Sequence, residues 1–464
     1  MSDIASVGSQ PPAPVLELRR KANAAAHDVP MNKRVYPKWA SYVAPPSRGN
    51  DGRSISILNG DNAMNSMHIA THTARAAALA LGLVLAGTSC AADEIVIGAS
   101  LPLSGPLAGF GNYQKWGYET AVNDLNKAGG IKVGGKAMKV KLVIRDDKTD
   151  PNVAASNTET LISRDKAVAM LGSCTPALVN AGALVAERRK VPIVAGCDPL
   201  GAFKSVRKWN YAWVLFFDEG DLATAPFRMM ADYGLATNKK VAILADNGPD
   251  GQVVGGQIWP ATAKAGGYEV VHSSSFPVDA QQFTSMIGQA KAGAADIALV
   301  DAIPPQAIAI RKQMASAGYS PKLLVMEKGA EPEQFAQALG KLADGVLVGG
   351  YWDPSFPYPG AADLGKRFET ETKQTQSQHI ADSHAAAQVL LDAIAAAGST
   401  DREKINAAIA KTDKSYVVGP VKFGADHTSR IPITMMQWQS GKAVVVWPKD
   451  RATGKLLFPL PAAN

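Results

Sequence analysis

The sequence predicts an α/β fold built as two doubly wound, Rossmann-like lobes. Three observations point to it. From Glu94 onward short apolar runs alternate with amphipathic stretches, the helical stretches close on glycine, and the alternation restarts in the same rhythm after Trp213. Apolar runs of about four to six residues are what strands buried on both faces of a parallel sheet require. A repeating strand–helix order then puts helices over both faces of that sheet.

In chain order, EIVIGAS (94–100) reads as a strand and KWGYETAVNDLNKAGG (115–130) as a helix ended by its glycines. MKVKLVIRDD (138–147) is a strand, NVAASNTETLISRD (152–165) a helix, AVAML (167–171) a strand, ALVNAGALVAERR (177–189) a helix and VPIVAG (191–196) a strand. The second series runs KKVAILAD (239–246) strand, GGQIWPATAKAGG (255–267) helix, YEVVHSSSF (268–276) strand and FTSMIGQAKAG (283–293) helix. It continues with DIALVDA (296–302) strand, PQAIAIRKQMASAG (305–318) helix, KLLVME (322–327) strand and DGVLVGGYW (344–352). Helices follow at 364–374 and 382–398, and the chain closes with strand pairs over 418–448. Ser440-Gly441, between MMQWQ and KAVVVW, reads as a hairpin turn. Two such units present the carboxyl ends of their strands across a crevice, where open α/β sheets bind ligands.

With 464 residues, 46% hydrophobic and 19% charged, the chain has material for two or three domains with real cores. The net charge of +7 is dispersed: residues 1–66 hold eight Lys/Arg against five Asp/Glu, Arg75 adds one, and +3 is left for the rest. Lys and Arg there alternate with Asp and Glu, without the basic stripe that nucleic-acid binding needs, so no nucleic-acid partner is expected.

Residues 1–66 lack apolar periodicity and read as a disordered leader, or as residues upstream of the true start at Met67. From Met67 come His68, His72 and Arg75, an apolar run at 76–86, and small residues ending in Ser89-Cys90-Ala91-Ala92. That is the layout of a secretory signal at 67–92, with an apolar run shorter than the ~20 residues of a membrane span. Export to the periplasm is the expectation; Cys90 is a weak lipid-anchor site. Cleavage after Ala91 or Ala92 leaves Cys174 and Cys197 of the three cysteines. Both follow short apolar strands flanking one helix, so their chain positions lie close in the sheet. A disulfide in an oxidising compartment and two buried free thiols both fit.

The strings IVIGASLPLSGPLAGFG, GYETAVNDLNKAGGI and RDDKTDP resemble the start of periplasmic binding proteins (type I) of the leucine/isoleucine/valine type. LGSCTPALVNAGALVAERRKVPIVAGCDP resembles that family's ligand loop, helix and next strand, and VGPVKFGADHTSRIPITMMQWQSGKAVVVWP its C-terminal signature. The resemblance runs from Glu94 to Pro448. It implies a receptor of ABC importers, with no cofactor and no catalysis, that hands an amino acid or related small compound to permease and ATPase subunits. It also implies a monomer with a three-crossing hinge near Trp213, near Tyr351-Trp352 and just after Tyr416. The lobes would be 93–212 plus 353–416 and 213–352 plus 417–464.

Candidate ligand contacts follow. Ser173, Cys174 and Thr175 lie between a strand and a helix, where hydroxyls and free N–H groups suit a ligand carboxylate or simply cap the helix. Pro176 stands where relatives commonly carry a second serine, so one donor is lost. Ala195, Gly196 and Cys197 end the next strand, and in relatives this segment offers backbone contacts. Phe110, on the GFG loop, stands where relatives often have tyrosine. Phe216 and Trp352 lie at the crossings, as ligand wall or as hinge packing. From the second lobe come Asp301 and Glu327 at strand ends, Glu327 matching the family's carboxylate for a ligand ammonium, with Lys328 beside it as a neutralising charge. Ile303 replaces a frequent tyrosine. The branched-chain amino acids are the first ligand class and aromatic carboxylates the second.

Other function classes leave no mark. There is no P-loop, the dinucleotide pattern at Gly109-Phe110-Gly111 lacks its third glycine, and no GxSxG elbow occurs. His379 and His384 have no metal-ligand companions at a useful spacing, so no metal is expected. A ligand-sensing domain of a signalling receptor uses the same fold, but neither a membrane helix nor a DNA-reading helix pair is seen after Val446.

Overall fold

The computed structural model describes residues 94–462. The expected leader at 1–66, the signal at 67–92 and Cys90 lie outside the described residues. No described helix is long and apolar enough to cross a membrane.

The first sheet is built from β1 (Ile95–Leu101), β4 (Val140–Asp146), β5 (Ala169–Leu171), β6 (Ile193–Ala195), β7 (Ala212–Phe216) and β15 (Thr428–Arg430) in the order β15-β7-β6-β5-β1-β4, all parallel. A short hairpin of β2 (Ile131–Val133) and β3 (Lys136–Met138) precedes β4. Helices α1 (Ala108–Lys127), α2 (Pro151–Ser163), α3 (Pro176–Arg189) and α4 (Leu200–Val206) link the strands. Asp150 starts α2 by accepting from the N–H groups of Asn152 and Val153, with Pro151 at the first helical position. The chain steps from β1 to β4 on one side and then to β5, β6 and β7 on the other. Right-handed crossovers therefore put α1 on the opposite face from α2 and α3.

The second sheet repeats this winding. It contains β8 (Lys240–Asp246), β9 (Glu269–Phe276), β10 (Ile297–Ala302), β11 (Leu323–Lys328), β12 (Leu347–Gly350), β16 (Thr434–Gln439) and β17 (Lys442–Trp447), in the order β17-β16-β12-β11-β10-β8-β9. Only β16 runs against the other strands, pairing antiparallel with β12 on one side and β17 on the other. Its helices are α5 (Glu219–Tyr233), α6 (Pro249–Val253) running through a π-turn into α7 (Trp259–Ala265), α8 (Thr284–Ala292), α9 (Pro304–Ser316) and α10 (Glu333–Leu339). The β16–β17 turn has Ser440 at φ 49° and Gly441 at φ 80°, the two positive angles of a type I′ hairpin.

Between the sheets' last strands the chain returns to the first lobe as α11 (Ala361–Thr372), α12 (Gln378–Ala397), α13 (Arg402–Ile409) and the hairpin of β13 (Asp413–Tyr416) with β14 (Gly419–Lys422). Helix α12 packs along α1, and Phe368 of α11 meets Tyr113 and Trp116. Strand pairing moves two crossings from their expected places. β7 completes the first sheet, so the first crossing follows Phe217 and not Trp213. β15 pairs with β7, so the last lies at 431–433 and not after Tyr416. The remaining crossing is at 351–353. The three are neighbours: the Ile431 N–H donates to the Phe216 carbonyl at 2.8 Å, and the Phe216 and Tyr351 rings meet edge-on at 5.0 Å.

Candidate functional site

The carboxyl ends of β5 and β6 carry two short loops that are locked together. Cys174 and Cys197 form a disulfide, with Cα atoms 4.8 Å apart. The Thr175 N–H donates to the Cys197 carbonyl at 2.9 Å, and Thr175 is held at φ 72°, a left-handed value unusual for a β-branched residue. Ser173 Oγ donates to Asp147 Oδ2 at 2.9 Å, and Gln114 holds the Ser173 carbonyl. Burial pushes the Asp147 carboxyl up to about 6. Thr175 makes no side-chain cap for α3, so neither hydroxyl serves the helix-capping alternative. Ala195 and Gly196 are buried beside α12: a β-carbon at Gly196 would lie 2.6 Å from the Asp382 carbonyl oxygen.

Asp198 follows at once. It is fully buried, and neither carboxylate oxygen makes a hydrogen bond of normal geometry, although the Asn180 side chain lies close. Burial, then Glu219 and Asp250, raise its carboxyl far above the usual range. Glu219, at the start of α5, accepts from the N–H groups of Gly201 and Ala202, and burial pushes it up to about 7.

The second lobe brings Asp301 and Glu327 side by side on β10 and β11. Lys328 leaves β11 with φ 62° and sets its ammonium on Asp246 at 2.7 Å, Asp250 at 2.8 Å and Asp301 at 2.9 Å. It therefore neutralises Asp301 and its neighbours rather than Glu327, the partner expected from adjacency. Glu327 accepts only the Gly349 N–H, at 3.1 and 2.9 Å, and burial holds its carboxyl well above the ordinary range. Those three aspartates form a divalent-cation donor set, here taken by an ammonium. A second group, Cys174, Cys197 and His379, has its sulfurs joined to each other.

Between the lobes lies a network that the sequence reading missed. His379 Nε2 meets Glu331 at 2.6 Å and Nδ1 meets Asp382 at 2.8 Å, while the Tyr351 hydroxyl donates to Asp382 at 2.5 Å. Burial opposes the charge on His379, but Asp382 and Glu331 outweigh it and hold the imidazolium up to about 10. Gln378 also donates to Glu331, and Glu333 accepts from the Thr375 N–H. Elsewhere α6 packs against α3 and α4. Phe110 is not on a loop: α1 begins at Ala108, and the buried Phe110 ring meets His379 edge-on at 4.8 Å. Phe216 packs on Phe217 and Tyr351. Trp352 gives its indole N–H to the Val417 carbonyl at 2.9 Å and sets its ring against Gly365.

The reasoning that selected Ala195–Cys197 would have found Asp198 one residue further on. His379 and Asp382 carry the i, i+3 spacing of one helix face, but their partner Glu331 is remote in sequence.

A family model described as periplasmic binding protein matches residues 94–443. The chain is 27% identical over 401 residues to Leu/Ile/Val-binding protein homolog 8 of Brucella abortus (strain 2308), across 82% of this chain and 97% of that protein. Among solved structures, it is similar in fold to the leucine binding protein LivK of Thermotoga maritima (TM-score 0.68, 22% identity, 77% of this chain and 99% of that one). It is similar to LivJ of Streptococcus pneumoniae in complex with isoleucine (0.68, 23%, 76% and 100%). A solute binding protein of an R. palustris ABC transporter in complex with benzoate is similar too (0.65, 22%, 80% and 98%).

Proposed function

Because this chain belongs to the periplasmic binding protein family, we propose that it is the solute receptor of an ABC importer, acting as an exported monomer. The family consists of substrate-binding proteins, and nothing is done chemically to the solute. The observation that carries the reading is a pair of doubly wound sheets joined by three adjacent crossings and touching through Glu331 with His379 and through α6 with α3 and α4. Opening about those crossings exposes the strand ends. Closure re-forms the contacts of Glu331 with His379 and of Glu333 with Thr375, over a solute held between the lobes. The closed form then docks on the permease, and ATP hydrolysis in partner subunits drives release.

A solute bearing an ammonium group fits this reading, because the strand ends carry carboxyl groups that no cation of the protein pairs: Asp198 on one lobe, Glu327 on the other. Amino acids of the branched-chain type are the first class to test. Aromatic carboxylates, supported by the benzoate-bound neighbour and the Phe216–Phe217 pair, are the second. A thermal-shift screen of amino acids against benzoates separates them. Solute at 100 times its dissociation constant adds about 2.7 kcal/mol. A shift with ammonium-bearing solutes is expected; a shift with benzoates alone reverses the choice, and conversion of any solute to product refutes the receptor reading.

A further inference from the structure

The loop after β11 reaches across to the first lobe and is received there by α12 and α1. Glu331 Oε2 meets His379 Nε2 at 2.6 Å and accepts from Gln378 Nε2 at 2.9 Å, two donors from neighbouring residues of α12. Two residues on, Glu333 accepts from the Thr375 N–H at 3.2 Å, and its own N–H donates to the Tyr113 hydroxyl of α1 at 3.4 Å. The Glu331 side chain is 9% exposed and that of His379 2%, so the ionic contact is nearly dry. A charge-assisted hydrogen bond in such a place is stronger than the same pair on the surface.

Both α12 residues that receive Glu331 are also tied to the crossing at 351–353. His379 Nδ1 meets Asp382 Oδ2 at 2.8 Å, and the Tyr351 hydroxyl donates to that same oxygen at 2.5 Å. Gln378 Oε1 accepts from the Tyr351 N–H at 3.0 Å. Phe110 meets the imidazole edge-on at 4.8 Å, which fixes its plane. Asp382 and Tyr351 are therefore positioning residues: they hold the imidazolium where Glu331 arrives and join that contact to the hinge in one network. When the lobes part, Glu331 passes into water and His379 keeps Asp382 alone, so the contact favours the closed arrangement only. All of these partners belong to the protein, and the free energy they supply is the same whichever solute lies between the lobes.

We propose that Glu331 and His379 form a latch that keeps part of the protein closed before any solute arrives, and so sets the affinity for every solute alike without choosing among them. The proposal rests on the receptor reading and adds what governs its closure. Apparent affinity scales with the fraction of protein already in the competent arrangement, so weakening the latch weakens all solutes by one factor. Glu331→Gln removes the charge and keeps the shape. In small-angle scattering of the purified full chain at neutral pH, without added solute, the variant is expected to have a larger radius of gyration than the unaltered protein. Equal radii overturn the proposal. Leucine, isoleucine and benzoate are then titrated calorimetrically into both proteins. Each one that the unaltered protein binds is expected to bind the variant about three- to tenfold more weakly, by a common factor. Undiminished binding overturns the latch, and so do factors that differ between solutes, since they would set Glu331 against the solute itself. If none of the three binds the unaltered protein, it is the receptor reading that loses support, while the two radii still decide the latch. Gln378→Ala, which takes away the second donor to Glu331, is read by the same radii and supplies the test should Glu331→Gln fail to fold.

Discussion

Lys328 shows how far a single side chain organises the second lobe. One ammonium satisfies Asp246, Asp250 and Asp301 at once, and all three are wholly or largely buried. Lys328→Met leaves those charges facing each other in a poorly solvated space, and removing one partner of a buried ion cluster costs about 3–5 kcal/mol. A drop of that size in urea-denaturation stability at neutral pH is expected; a loss under 1 kcal/mol would mean that the aspartates simply take up protons. Asp301 and Glu327 were legible as strand-end carboxylates, because the end of an apolar run marks the end of a strand. Their partners were not. Lys328 turns off its strand with a left-handed backbone, and the chain segments it reaches are separated from it by many residues. Phe110 was misplaced for a local reason: Leu107, Ala108 and Gly109 carry no strong capping residue, so the start of α1 is unsigned.

At the scale of elements, the parallel strands were readable because burial on both faces makes them continuous apolar strings. Helices α4 and α13 escaped because each is short, and α5 because Pro226 interrupts its pattern. The signal for α5 was nonetheless present: Asp218 caps it by accepting from the Gly220 N–H, with Glu219 and Asp221 in the first turn. The pairing of β15 with β7 had no signal in local sequence, since it joins residues more than two hundred apart. The two loops after β5 and β6 form the other tertiary unit of this size. Their disulfide spans 23 residues, and replacing both cysteines by serine removes a cross-link worth about 3 kcal/mol in chain entropy. The double variant is expected to lose stability by that order and to exchange the Thr175 amide faster, because the Thr175 N–H bond to Cys197 depends on the loops staying together. Unchanged amide protection there would show that packing alone holds the loops.

For the whole molecule, the buried charges gathered near the contacts between the lobes set the pH response. Burial raises Glu219 to about 7, and the carboxylates around His379 raise it to about 10. Each group therefore holds more protons folded than unfolded between pH 6.5 and 8.5, so folding stability falls as pH rises through that window. The expected loss is on the order of 1–2 kcal/mol, read as a lower urea midpoint at pH 8.5 than at 6.5, and Glu219→Gln should flatten part of it. A midpoint that rises with pH would contradict the assigned protonation. The proposed action is mechanical: two lobes would hinge about 217–218, 351–353 and 431–433 and close on a solute that leaves unchanged. Small-angle scattering across the panel of amino acids and benzoates tests it most directly. A fall in radius of gyration with at least one solute, which is then recovered intact by mass spectrometry, is the expected result. A radius indifferent to every solute, or a solute returned as a different compound, would contradict the account.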